Sequence, residues 1–322
     1  MTILEDSNFG HKSVLLNELV SAIKLDENKK NIVVDCTLGL AGHAIEVIKK
    51  MNPGDIFVGF DADNDNLESA RKIIEEKVGD EAEKKGIKIY LINSNFRFLK
   101  EKLNEIGIDK VNNIYYDLGV SSVHLDDFNK GFSFRGEGAL DMRYDRTSGI
   151  TAKDVINEYS ENDLYRVFRE YGEEKKSKFI VDEILLQRKT KQIETTKDLL
   201  EIIEKSSFDP KSKTRVFQAI RIEVNDEFGV IRESVKDAVK ILEIGGILAI
   251  ITFHSLEDRI AKQIINGFIE TEIDQITGQS LTKPVLEKVS KKPIEPSESE
   301  IRHNPRSRSS KLRIARKINN IT

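Results

Sequence analysis

Three aspartates, each closing an apolar run, are the residues of this chain best placed to do chemistry. Asp35 follows Ile32-Val33-Val34, Asp61 follows Ile56-Phe57-Val58-Gly59-Phe60, and Asp117 follows Ile114-Tyr115-Tyr116. Between the first two lies Thr37-Leu38-Gly39-Leu40-Ala41-Gly42-His43, a turn with two glycines that opens a helix. A strand, a glycine turn and a helix start bring backbone N–H groups close to a ligand, and an acid ending the second strand reaches a ribose diol. Asp61 stands about 20 residues after Gly39, the usual interval for such an acid. The ligand is therefore a dinucleotide or S-adenosylmethionine. A dinucleotide fingerprint asks for G-x-G-x-x-G. Here Ala41 stands at the second glycine position and Ala44 at the third. Asp35 would meet like charge in a pyrophosphate, whereas it suits the ammonium of a methionine moiety. The plain alternative is a βαβ unit whose glycines only serve turns.

Other groups fall at the same edge. His43 starts the helix beside Gly42, where it caps, packs or touches the ligand. Phe96, just after the third strand, is either core or a flank for an adenine ring, and Asp117 ends the fourth strand, where ligand or catalytic groups usually sit. His124 is an exposed loop histidine or a ligand contact. Arg135, Asp141, Arg143, Asp145 and Arg146 cluster in a long loop, as a salt-bridged surface or as a place to hold phosphate and orient a base. Phe253-His254 follows the fifth strand; His254 is a proton acceptor, a stacking group or a hydrogen-bonded structural histidine.

The elements that must position these groups alternate. Lys88–Asn93 reads as a third strand followed by a helix from about Arg97, and 111–118 as a fourth strand; a helix begins near Asn64 after the second. This alternation predicts a parallel sheet covered on both faces. It stops at a loop over 128–147, and from Ala152 to Ile222 only helical patterns occur, as in an all-helical insertion. A helix ended by Gly245-Gly246, a strand over 247–253 and a helix with Ser255 as N-cap then resume the pattern. Residues 283–302 read as irregular, and 311–316 as a half-exposed closing strand. The expected division is 1–135 and 223–322 for the α/β domain, with 136–222 as the inserted helical domain.

Bulk properties narrow the class. Of 322 residues, 39% are hydrophobic and 33% charged, the balance of an ordinary globular chain. Cys36, the only cysteine, excludes an intrachain disulfide, lies in an apolar strand as a buried structural thiol, and suits a reducing cytoplasm. The residues from Met1 to Asp6 carry neither the basic nor the apolar region of a signal peptide, and no apolar run is long enough to span a membrane. The histidine spacing gives no H-x-x-x-H pair, so no zinc site is expected. The formal net charge is −4, yet Arg302 to Lys317 holds seven basic residues and no acid. That tail is the best candidate for a nucleic-acid backbone.

Taken together, several strings resemble the RsmH (MraW) family of bacterial methyltransferases. They are 11–18 (HKSVLLNE), 35–43 (DCTLGLAGH), 117–122 (DLGVSS), 131–134 (GFSF), 140–145 (LDMRYD), 215–225 (RVFQAIRIEVN), 253–259 (FHSLEDR) and 304–309 (NPRSRS). The resemblance implies a class I S-adenosylmethionine-dependent methyltransferase sheet (Rossmann-like, α/β) with a helical domain inserted after the fourth strand. It implies methylation of a cytidine N4 amino group in 16S ribosomal RNA of the 30S subunit near the decoding centre, in the cytoplasm, with no membrane partner. By motif it places the cofactor on Ala41, Gly42, His43, Asp61, Phe96, Asp117 and His124. The family's turn more often has Gly where Ala41 stands, and its loop often has Gln where His124 stands. Exocyclic-amino methyltransferases commonly carry an acid or Asn, two prolines and an aromatic after strand four; here the string is Asp117-Leu118-Gly119-Val120. The candidates for an acceptor and a base-stacking group are therefore Asp141, with His254 or Phe253. An NAD-dependent oxidoreductase and a non-catalytic ribosomal RNA-binding assembly factor stay open as rivals, and the oligomeric state is open between monomer and homodimer.

Overall fold

The computed structural model describes residues 13–271 and 281–321. His11, Lys12 and the Met1–Asp6 segment lie outside the described residues. Seven strands form one sheet in the order β3-β2-β1-β4-β5-β7-β6. They are β1 (Ile32–Asp35), β2 (Ile56–Asp61), β3 (Lys88–Asn93), β4 (Val111–Asp117), β5 (Leu242–Thr252), β6 (Leu286–Lys288) and β7 (Lys311–Lys317). The first five run parallel, and β7 is antiparallel to both β5 and β6. From β1 the order proceeds through β2 to β3 on one side, and through β4 to β5 on the other. The carboxyl ends of β1 and β4 thus meet at the point where the winding reverses, the usual place for a ligand crevice in such sheets.

The central strands are apolar throughout because helices cover both faces. Val33, Val34, Phe57, Phe60, Ile114, Tyr115, Leu248 and Ile250 are all fully buried. Gly59 sits in β2 where a side chain would collide with Leu38, so its hydrogen lets the turn after β1 fold down onto the sheet.

The resumption of the α/β pattern differs from expectation in one detail. Gly245 and Gly246 do not end the helix, which stops at Ile241; they lie within β5. Pairing jumps from Val111↔Leu242 to Asn113↔Ile247, so the extra residues form a bulge. Gly245 supplies the left-handed φ of 87°, and a Cβ at Gly246 would press on the Asn112 carbonyl. Residues 283–302 are likewise less irregular than expected, since they contain β6 and a short helix, Glu298–His303.

Two compact units result: residues 1–119 with 231–322, and residues 120–230. The second unit begins earlier than the insertion read at 136–222 because the long loop belongs to its core. Phe132, Leu140 and Met142 pack with Val155, Phe168, Ile184 and Val216 of the helices. The 215–225 string is a set of braces for that core. Arg215 pairs at 2.8 Å with the fully buried Glu174, Arg221 with Glu227 at 2.7 Å, and Asn225 donates to the Met142 carbonyl at 2.8 Å.

The basic tail is partly structural too. Lys317 is buried, and its ammonium donates to the Val239 and Leu242 carbonyls at 2.8 and 2.7 Å, capping the helix Glu227–Ile241. Arg313 forks onto Asp258 at 2.7 and 2.9 Å, and Arg316 lies 3.4 Å from Glu287 on the neighbouring strand. Arg302, Arg306 and Arg308 remain exposed.

Candidate functional site

Within the first unit the turn after β1 is tied down from both flanks. Cys36 N–H donates to the Tyr115 carbonyl of β4 at 3.0 Å, and Leu38 N–H to the Phe60 carbonyl of β2 at 2.8 Å. The Asp35 carboxylate accepts from Thr37 N–H at 2.9 Å. Thr37 then offers its hydroxyl oxygen to Asp117 N–H at 2.6 Å, which welds the turn to the end of β4. Asp61 accepts from Gly39 N–H with one oxygen at 2.9 Å and from Asp63 N–H with the other at 2.8 Å. Each oxygen keeps lone-pair capacity for another donor. Three acids that are far apart in sequence are therefore gathered around one glycine turn. Thr37 escaped notice in the sequence because a threonine in a turn announces no partner 80 residues away.

The helix Gly42–Lys50 opens from this turn with no side chain capping it, so backbone donors of its first turn face the crevice. Its preceding residue, Ala41, is left-handed with φ 63°. Here lies the physical reason that glycine suits this position: a residue with a Cβ costs about 1 kcal/mol there, and alanine carries that cost at the smallest size. His43 is buried, with Nε2 2.9 Å from the Val14 carbonyl and Nδ1 3.5 Å from an Asp117 oxygen. Phe96 follows β3 in a short 3-10 turn and meets Tyr116 edge-on at 5.6 Å. Gly119, just past β4, has the Phe253 ring against it, where any Cβ would collide with that ring.

Among the described residues no lysine or arginine pairs with Asp35, Asp61 or Asp117. Burial pushes their carboxyls up, Asp35 to about 6 and Asp61 and Asp117 to about 7. Burial also holds the His43 imidazole below its ordinary value. Reluctant anions that no described lysine or arginine neutralises, beside uncapped helix N–H groups, fit a ligand bearing both an ammonium and an acidic end.

The same groups fix a pH dependence. Unfolded aspartates titrate near 3.9. The folded chain thus keeps protons that the unfolded chain has lost, and these acids lower stability as pH rises from about 4 to about 7. Asp117→Asn removes one such charge while an amide still suits His43 Nδ1. We expect it to raise the thermal midpoint of the ligand-free chain by about 2–4 °C at pH 8 and by roughly a third as much at pH 5. Scanning calorimetry at both values checks this; equal midpoints at pH 8 would refute the argument.

The remaining sequence candidates have other surroundings. His254, not Ser255, is the N-cap of the helix Ser255–Ile269. Its Nδ1 accepts from Glu257 N–H at 3.4 Å, and its Nε2 lies 2.9 Å from the same residue's carboxylate. Serine is the commoner cap, which is why the sequence pointed one residue late. His124 and Asp141 belong to the second unit. The His124 ring packs on Phe132 at 4.9 Å and Tyr144 at 5.1 Å. Burial pushes the Asp141 carboxyl up, but hydrogen bonds and charge from Arg143, with Arg146 behind, outweigh it and hold it below the usual range. Arg143 grips both Asp141 oxygens at 2.8 and 3.1 Å, and Arg146 lies 3.2 Å away.

Residues 8–318 match the model of the MraW methylase family. The chain belongs to the MraW methylase family. Its fold is the α/β, Rossmann-like sheet described above. Ribosomal RNA small subunit methyltransferase H of Clostridioides difficile is 41% identical, over 96% of this chain and 99% of that one. The protein of the same name from Streptococcus pyogenes is 42% identical, over 96% and 98%. Among solved structures, an rRNA methylase from Streptococcus thermophilus aligns over 94% of each chain at 12% identity with a TM-score of 0.38. A putative methyltransferase from Streptococcus mutans in complex with SAH aligns over 96% of this chain and all of that one, at 12% identity and a TM-score of 0.40. Family membership rests on the sequence matches; superpositions this loose add no argument. Among the described residues no helix is long and apolar enough to cross a membrane.

Proposed function

We propose that this chain is an S-adenosylmethionine-dependent methyltransferase of small-subunit ribosomal RNA, acting on the N4 amino group of a cytidine near the decoding centre. The observation that carries the cofactor is the convergence of Asp35, Asp61 and Asp117 on the turn Thr37–Gly42, with no lysine or arginine among the described residues paired to them. Asp61 takes the ribose diol, as an acid ending the second strand does. Asp35 and Asp117 supply negative charge for the ammonium, and the N–H groups at Gly42 and His43 supply donors for the carboxylate. Phe96 flanks the adenine. S-adenosylmethionine, when bound, provides an electrophilic methyl group. The chain's own task is positional: it holds the attacking nitrogen in line and accepts a hydrogen bond from it, drawing its lone pair out of the ring.

Of the groups expected to meet the base, His254 is engaged as a helix cap and Asp141 holds two arginines. Phe253, lying on Gly119 beside the end of β4, is the stacking surface we assign to the cytosine. The names of the relatives support a small-subunit ribosomal RNA substrate, and the sequence resemblance alone supports cytosine N4 as the acceptor. The test is incubation with labelled S-adenosylmethionine and small subunits lacking the modification, followed by nucleoside mass spectrometry. N4-methylcytidine is expected; label on another nucleoside, or none, overturns the assignment.

The exposed Arg306 and Arg308 are the tail residues we assign to the RNA backbone. Arg306→Glu with Arg308→Glu is expected to weaken RNA binding at least tenfold at 0.1 M salt and to reduce the slope of log K against log salt by nearly 2. Affinity for S-adenosylmethionine stays unchanged. An unaltered salt slope would remove the tail from the interface.

A further inference from the structure

The residues around Ser13–Leu15 are the part of the first unit whose construction the catalytic reading leaves unexplained. Leu15 has φ 50° and ψ 36°, a left-handed conformation that costs a side chain about 1–2 kcal/mol. A bulky residue stays there only when its surroundings over-determine it, and such strain tends to sit where function needs a fixed geometry. Two contacts do the fixing. The Leu15 side chain is fully buried, and its N–H donates at 2.7 Å to Glu300 Oε1, from a residue 285 positions away on the helix Glu298–His303. The preceding carbonyl, that of Val14, lies 2.9 Å from His43 Nε2. Ser13 packs so closely over Gly42 that any side chain there would strike its hydroxyl.

We propose that Glu300 is a positioning residue of the cofactor site, which through Leu15 and Val14 sets the ring of His43 and the start of the helix Gly42–Lys50. This rests on the reading of that turn as the S-adenosylmethionine site. With Nε2–H donated to Val14, Nδ1 presents its lone pair to Asp117 Oδ2 at 3.5 Å. Two acceptors at that distance repel unless one proton lies between them, which the raised Asp117 carboxyl can supply. The C-terminal segment thereby decides the tautomer of a histidine in the glycine turn.

The experiment uses the full chain with Glu300→Ala and Glu300→Gln. Calorimetry measures S-adenosylmethionine binding, and nitrogen-15 spectra of the imidazoles, with His43 assigned through His43→Gln, report the tautomer. Glu300→Ala is expected to raise Kd about tenfold and to lose the Nε2–H pattern of His43. Glu300→Gln keeps an acceptor oxygen and is expected to hold both within about threefold of the parent. A merely structural glutamate would lower the thermal midpoint in the alanine variant without moving the tautomer. An unchanged Kd and an unchanged His43 pattern in Glu300→Ala overturn the proposal. If the parent chain binds no S-adenosylmethionine, the cofactor reading falls, while the tautomer measurement still decides the role of Glu300.

Discussion

Asp61→Ala is expected to weaken S-adenosylmethionine binding about 100-fold while the chain stays folded. The carboxylate closes β2 and organises Gly39 and Asp63 through their N–H groups. Its remaining lone pairs are the ones available to a ribose diol. Hydrogen bonds to a charged group contribute about 1.5–3 kcal/mol each, and about 2.7 kcal/mol corresponds to two decades in Kd. Because burial has pushed this carboxyl up to about 7, its charge is a burden on the ligand-free chain at neutral pH. Its removal therefore relieves some electrostatic cost as it loses two turn hydrogen bonds. Titration calorimetry of the variant, with circular dichroism as the folding control, checks the outcome. A Kd equal to that of the parent would remove Asp61 from the site.

Gly42→Val is expected to abolish measurable binding, a loss greater than 100-fold, and to lower the thermal midpoint by several degrees. The glycine is needed for space rather than for its φ, since Ser13 Oγ lies where a Cβ would go. Valine cannot move aside, because its branched Cβ sits at the first position of the helix Gly42–Lys50. The Ser13 hydroxyl must turn away, and the valine methyls then crowd the strained Ser13–Leu15 segment, whose Val14 carbonyl meets His43. The measurement is the midpoint shift produced by saturating S-adenosylmethionine: several degrees for the parent and none for the variant. A variant that responds like the parent would show that the approach of Ser13 to Gly42 has no bearing on the crevice.

Much of this was legible because its causes are local. An apolar run ended by an acid, a glycine turn and a second such run declare β1, the turn, β2 and Asp61 within 30 residues. Parallel strands buried on both faces leave the same continuous apolar signal at β4 and β5. What escaped has partners at a distance or offers two readings. Gly245-Gly246 terminates a helix or forms a bulge equally well, and pairing with Asn112 and Asn113 decides for the bulge. His254 became a cap through a buried glutamate three residues on, a role indistinguishable in the sequence from that of a catalytic histidine. Lys317 reads as one more cation in a basic tail until the carbonyls ending the helix Glu227–Ile241 are seen around it. The loop over 128–147 carries few apolar residues, yet Phe132, Leu140 and Met142 suffice to draw it into the helical core. The hold of Glu300 on Leu15 joins opposite ends of the chain, and no periodicity or spacing encodes that.

Everything proposed for this chain depends on an adenosine sulfonium lying at the β1 turn, and a crystal structure of the protein soaked with S-adenosylmethionine tests that most directly. The account predicts the ribose diol on Asp61, the methionine ammonium toward Asp35 and Asp117, and the adenine beside Phe96. Density for the ligand elsewhere, or a crevice that instead takes up the pyrophosphate of NAD in a parallel soak, would contradict it.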